Sequence, residues 1–510
     1  MNLQQAQTVT LIALALFAAL MVIIGLYSWR KTQTIEGFLL GSRNIGAWVS
    51  AFAYGTSYFS AVIFVGYAGK HGWDIGIGSI WIGIGNAVLG CFLAWKLLAI
   101  RTRKMTHALS AKTMPEFFEG RYLSKKMKIV AAVIIFVFLV PYSAAVYKGL
   151  GSMFNTIFPQ VDTSIWMLII AALTTVYLIL GGYVAAAYAD MVQGIIMILG
   201  VIAMVFAVAH SDNIGGFSVF WQKLSQIPDN GDGITGAQLT NIWGGQSFKF
   251  LCMNILLTSF GTWGLPQMVS KYYAVKDERS IKSATVISTL FALIIGAGAY
   301  LVGSMSRLVL SNTLPASGHD GVIPAVLTAV LGKSLLSNIL LAVILILLLS
   351  ASMSTLVSVV LSSASAISVD LVPEIKKNYS PRTQLVTTRA LCLLFVALSY
   401  IFATRNISII VNIMSFSWGI VSGCFIGAYV WGICSKRVTR AGAWCGMAAG
   451  FLTVLCPTVI TTVQSGFAAA AQNAATLGVY AMAASLITVP VISCFTKKFD
   501  DKHISAVFKD

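Results

Sequence analysis

The chain has 510 residues, 57% of them apolar and only 10% charged, and its mean hydropathy is +0.84. That composition excludes a soluble globular domain and implies an all-α polytopic membrane protein with the lipid bilayer as its surroundings. The net charge of +17 is accordingly read as membrane topology, and no nucleic-acid partner is expected.

Apolar stretches of about 20 residues, enough to cross a hydrocarbon core of about 30 Å as helix, recur from end to end. Thirteen are predicted, near 7–28, 46–69, 76–99, 129–155, 164–182, 187–210, 246–271, 283–310, 337–365, 386–403, 408–433, 440–463 and 474–495. Residues 1–10 carry no Lys or Arg, and Arg30 and Lys31 follow the first apolar run, so the first helix is expected to be retained rather than cleaved. The segment 101–128 is strongly basic, whereas 211–245 carries Lys223 among Asp212, Asp229 and Asp232. The positive-inside rule makes the first cytoplasmic and the second external, and clusters such as Lys271/Lys276/Arg279/Lys282 and Lys436/Arg437/Arg440 keep the alternation. With thirteen spans, the N-terminus is expected outside and the C-terminus inside a plasma (inner) membrane.

Two predicted spans are interrupted. The run Ala53-Tyr54-Gly55-Thr56-Ser57-Tyr58-Phe59-Ser60-Ala61 places a glycine and several hydroxyls at mid-helix, where unwinding would free carbonyls such as those of Thr56 and Phe59 to face a cation. The run Gly261-Thr262-Trp263-Gly264-Leu265-Pro266-Gln267 holds two glycines and a proline, which removes a helix hydrogen bond. Either could be a kinked packing helix without a ligand. These are the second and seventh spans, five apart, so a five-helix unit beginning at each would lie in opposite orientations, the arrangement of an inverted repeat led by broken helices. The layout expected is an extra helix and loop over 1–45, repeats over 46–245 and 246–435, and two further helices with a tail over 436–510.

The ninth span, Ser337 to Ser363, carries hydroxyls where aliphatics are usual and centres on Ser350-Ala351-Ser352-Met353-Ser354-Thr355. Hard cations such as sodium take oxygen ligands, and Ser354 and Thr355 supply adjacent ones. The alternative is that these hydroxyls bond back to their own helix or join helices together. The eight cysteines stand singly without CxxC spacing, the histidines are scattered, and no GxxxxGK[ST] motif occurs. Neither an enzyme nor direct ATP drive is supported, and a channel would not need paired broken helices.

Several motifs together resemble the sodium/solute symporters, a family that includes proline, pantothenate, acetate and glucose carriers. They are Leu39-Leu40-Gly41-Ser42-Arg43, Thr113-Met114-Pro115-Glu116-Phe117-Phe118, Tyr188-Ala189-Asp190-Met191-Val192-Gln193, Gly264-Leu265-Pro266-Gln267 and Ala351-Ser352-Met353-Ser354-Thr355-Leu356. The resemblance implies a LeuT-like core and sodium-coupled import of a small solute by alternating access. It also implies a sodium site made of the Thr56, Phe59 and Ala351 carbonyls with the Ser354 and Thr355 hydroxyls. Asp190 reads either as a helix-start carboxylate wetted by the cytoplasm or as an ion-coupling group, since charge inside a membrane is costly. For the solute, Ser57, Tyr58, Ser60, Thr262, Trp263, Pro266 and Gln267 are the expected contacts. Proline carriers have an acidic residue on the first broken helix and aromatics before the Gly-x-Pro motif, where Tyr58, Thr258 and Thr262 stand here. A small organic anion, a monocarboxylate or pantothenate-like, is therefore the first expectation, with an amino acid or a sugar as alternatives.

Overall fold

Leu3–Ser28 forms α1, an unbroken apolar helix whose outer face exposes Leu11, Ile12, Leu16 and Ile23, as a lipid-facing helix does. The computed structural model describes residues 3–332, 334–376, 379–405 and 407–508, with the side chains of Leu3 and Lys31 left aside. Among them, ten helical runs are long and apolar enough to cross a membrane. Two of these are double length. Ala47–Ala108 contains α2 (Ala47–Tyr58), α3 (Gly69–Ile75) and α4 (Ile80–Gly85), and it turns back at Gly76, whose φ of 73° favours glycine. After α5 (Lys125–Ile157), α6 (Thr163–Ala209) is interrupted at Gly182, φ 48°, where an added Cβ would lie 2.6 Å from the Phe38 ring.

The second half holds α7 (Phe248–Gly261), α8 (Pro266–Ala274), α9 (Glu278–Val309), α10 (Leu335–Ser365), α11 (Pro381–Ala403), α12 (Ile410–Cys434), α13 (Arg440–Ser465) and α14 (Ala474–Phe495). Helix α10 starts at a Ser334/Ser337 capping box, and α11 has Pro381 in its first turn, the position where a missing N–H costs nothing. Helices α10 and α12 are buried almost all round and form the centre, α10 lying against α6, α1, α5 and α2. Helices α13 and α14 pack on α12 from outside.

The loops sort by charge into two ends. At one, Arg43 donates to the Ala111 carbonyl, Arg103 to Val275, Arg121 to Gly432 and Ser435, and Arg440 to Tyr122, while Lys128 pairs with Glu119 and Glu374. Here a parallel bridge joins Ile45, just before α2, to Val275, just after α8. At the other end Gln7 donates to the Ile157 carbonyl, Arg307 pairs with Asp232, and Lys148 pairs with Asp320.

Candidate functional site

Helix α2 ends at Tyr58, and Phe59 runs extended at φ −102°, ψ 110°. The break lies four residues beyond Gly55. That glycine remains helical, and an added Cβ there would lie 2.4 Å from the Phe291 ring of α9, so its smallness serves packing rather than unwinding. Beyond the break the chain restarts at Ala61 and Val62, whose N–H groups have no helical acceptor. Ser352 of α10 takes the Ala61 N–H at 3.0 Å and Ser60 takes the Val62 N–H at 3.2 Å.

On the other side of the break, carbonyls are released toward α10. The Thr355 hydroxyl lies 3.3 Å from the Thr56 carbonyl, 3.2 Å from that of Ser57 and 3.1 Å from that of Ala351. One hydroxyl proton serves only one of the three, which leaves lone pairs facing one another. Ser354 donates to the Thr56 hydroxyl at 2.7 Å, and Thr56 donates to the Phe52 carbonyl at 2.8 Å. Thr56, Ala351, Ser354 and Thr355 thus converge, and Phe59 follows Thr56 by three residues, at the break.

Asp190 is fully buried, eight residues past the Gly182 interruption and hence about 12 Å into the helix that follows it. A carboxylate wetted by the cytoplasm does not describe this position. It faces the Ser354 and Thr56 hydroxyls, yet neither of its oxygens has a hydrogen-bond partner. Its nearest cation is Lys271 Nζ of α8 at 3.7 Å, on a side chain 2% exposed. Lys271 was counted above among cytoplasmic loop charges, whereas the structure places it inside the bundle, because α8 continues to Ala274 after the second break. Its ammonium donates to Ser358 Oγ at 3.0 Å and lies over the Tyr183 ring at 5.1 Å. Ser358 Oγ is in turn 2.8 Å from Ser57 Oγ, which donates to the Ala53 carbonyl. A narrow cleft with about 30 Å³ of room, enough for a water molecule or two, leads from Lys112 and Pro115 at the basic end to Lys271 and Ser358.

The second break runs from Thr262 to Leu265. Leu265 is extended, as the residue before a proline tends to be, and Pro266 opens α8. The Thr262 hydroxyl lies 2.9 Å from the Ser259 carbonyl and 3.2 Å from that of Gly90, with one proton to give between them, and the Trp263 indole donates to the Leu89 carbonyl at 3.1 Å, so both side chains lie against the neighbouring 86–93 helix. Gln267 is buried, and neither end of its amide has a partner. Tyr58 ties the breaks together by donating to the Thr258 carbonyl at 2.7 Å, and its ring stacks on Trp418, against which Tyr142 stands edge-on. Trp418 is therefore an aromatic neighbour of the first break, as is Phe291, which stands edge-on to Phe59, whereas Trp263 packs on Phe260. Sequence reasoning missed Lys271, Ser358, Tyr142 and Trp418. Ser358 had a signal, the four-residue spacing Ser350, Ser354, Ser358, whereas Trp418 and Tyr142 lie in ordinary apolar runs.

Comparison with known proteins accords with this geometry. The sodium/proline symporter of Salmonella typhimurium is 28% identical over 441 residues, 85% of either chain. An osmoregulated proline transporter of Bacillus subtilis is 26% identical over 451 residues, covering 87% of this chain and 88% of its own. Among solved structures, an outward-open, substrate-bound Na+-coupled sialic acid symporter superposes with a TM-score of 0.77 at 16% identity, over 96% of this chain and 98% of the other, and so shares the fold. The model of the Sodium:solute symporter family matches residues 38–450, and the chain belongs to that family as a sodium-coupled solute symporter of the membrane.

Proposed function

We propose that the solute is a small amino acid of the proline type, imported with sodium that binds between the first helix break and α10. The observation that carries this reading is the orphaned Asp190 carboxylate beside a cluster of hydroxyls and released carbonyls. A buried acceptor without a donor costs about 1–3 kcal/mol, more when charged, and a cation removes that cost. Asp190 would also accept the Ser354 and Thr56 hydroxyl protons, turning their lone pairs toward the ion. The proline transporters among the relatives favour an amino acid as the solute. So does the break, since the Ala61 and Val62 N–H groups are already capped by serines and leave few donors there for a lone anion. The solute would lie among Tyr58, Trp418, Tyr142 and Gln267.

Counting each double-length run as two crossings and adding the α7–α8 pair raises ten spans to thirteen, with the N-terminus external and the basic end cytoplasmic. Two inverted five-helix repeats, 46–245 and 246–435, would then form the LeuT-like core in a plasma membrane.

Uptake of labelled L-proline by reconstituted protein, under separately imposed sodium, proton and voltage gradients, tests the proposal. Concentrative uptake driven by sodium and competed by small neutral amino acids is expected. A second reading, a small monocarboxylate or pantothenate-like anion, draws on Tyr58 and Gln267, neutral groups that offer no counter-charge to an amine. Sodium-driven uptake of such an anion, with amino acids inert, would replace the first reading.

A further inference from the structure

Lys271 and Asp190 are both buried in the membrane interior, where bringing in either charge costs several kcal/mol, yet their contact is poor as an ion pair. Ammonium–carboxylate hydrogen bonds close to about 2.7–2.9 Å, whereas Nζ stands 3.7 Å from the nearer Asp190 oxygen. The ammonium is instead engaged by two neutral partners, Ser358 Oγ at 3.0 Å and the Tyr183 ring at 5.1 Å. Its four-carbon stem is flexible and its donors are rotatable, so it can pass between these partners and the carboxylate. Its place matters as much as its charge. Lys271 and Ser358 line the cleft from the basic face, and the Asp190 carboxylate stands 3.7 Å from the Lys271 ammonium.

One carboxylate balances one positive charge. Resting on the reading of Asp190 as part of the sodium site, we infer that Lys271 is a tethered cation that alternates with sodium at Asp190. With sodium on the hydroxyl cluster, the ammonium withdraws to Ser358 and Tyr183. As sodium departs, the ammonium closes on Asp190, neutralises it and leaves the empty carrier without an isolated buried charge. Lys271 thus sets how weakly the inward-facing site holds sodium. The Lys271–Ser358–Ser57 hydrogen bonds carry the same movement to α2.

The test is the thermal stability of the purified full chain, titrated with sodium chloride against choline chloride at constant ionic strength, which needs no solute. Lys271→Gln is expected to tighten apparent sodium affinity about tenfold or more, by removing the cation that competes with the ion for the Asp190 carboxylate. Lys271→Arg, which keeps the charge, is expected to stay within about threefold of the parent. In an Asp190→Asn background, Lys271→Gln is expected to change nothing further, because the cations then have no shared carboxylate. Should Lys271→Gln alone fail to fold, the comparison of Asp190→Asn with the double variant and the behaviour of Lys271→Arg still decide the matter. Unchanged or weakened sodium affinity in Lys271→Gln, equal effects of Gln and Arg, or an undiminished Lys271→Gln effect in the Asp190→Asn background would overturn the assignment. A parent chain that sodium does not stabilise beyond choline would overturn the sodium site itself, a separate failure.

Discussion

The break after α2 and the break between α7 and α8 both interrupt membrane helices, but only the second has a proline to enforce it. Pro266 removes an N–H and holds Leu265 extended, and Gly264 lies so close to Ser422 that an added Cβ would be 2.7 Å from its hydroxyl. That break is fixed by covalent geometry and packing. The first has neither glycine nor proline at Phe59 and Ser60. It is held open by α10, through Ser352 on the Ala61 N–H and Thr355 beside the Thr56 and Ser57 carbonyls. A break that depends on side chains of another helix responds to whatever sits between them. The element proposed to respond to the ion is therefore the interruption that local sequence enforces least.

Substitutions sharpen this contrast, beginning with the largest effect. Asp190→Asn removes the charge that faces the first break, and apparent sodium affinity is expected to fall by roughly 150-fold or more, equivalent to about 3 kcal/mol, with protein abundance largely kept. Sodium titration of uptake alongside membrane yield checks it, and equal loss of both would mark Asp190 as structural. Ser354→Ala and Thr355→Ala each delete one oxygen, at an expected cost of about 1–3 kcal/mol or roughly 5- to 150-fold in sodium affinity. Unaltered sodium dependence in both would remove the ion from this break.

Substitutions at the second break are expected to spare sodium. Gln267→Ala removes an unpartnered amide and should raise the KM for solute about fivefold, near 1 kcal/mol, with the sodium response unchanged. Thr262→Val is expected to change stability and uptake by less than about 0.5 kcal/mol, because the Gly90 carbonyl keeps its bond from the Tyr54 hydroxyl at 2.7 Å. A large loss of solute affinity in Thr262→Val would return that residue to the binding site.

Much of this was legible in the sequence because membranes simplify the code. Hydropathy locates the spans, and Pro266 after two glycines marks the second interruption without ambiguity. The Ser350 to Thr355 run signals the α10 half of the hydroxyl cluster, since hydroxyls in hydrocarbon stand out. The first break was anticipated from Gly55 together with the hydroxyls around it; Gly55 stays helical, and beside Ser60 of that run the groups that hold the break are Ser352 and Thr355, from a helix about 300 residues away in sequence. Lys271 could not be recognised as internal, because a lysine five residues after a helix-opening proline looks the same in sequence whether the helix continues inward or ends in a loop. Trp418 and Tyr142 carry no local sign of their meeting, which depends on the packing of α12 against α5.

The backbone bridge at the basic end has a mechanical consequence. The Ile45 N–H donates to the Ala274 carbonyl and the Lys276 N–H to the Ile45 carbonyl, both at 3.1 Å, while Arg103 clasps the Val275 carbonyl. The root of one broken helix is thereby riveted to the foot of the other. Two levers joined at one pivot cannot swing apart there, so any parting of α2 from α8 must take place farther along, toward Tyr58 and Pro266. A torque applied to either helix at that end is delivered to its partner.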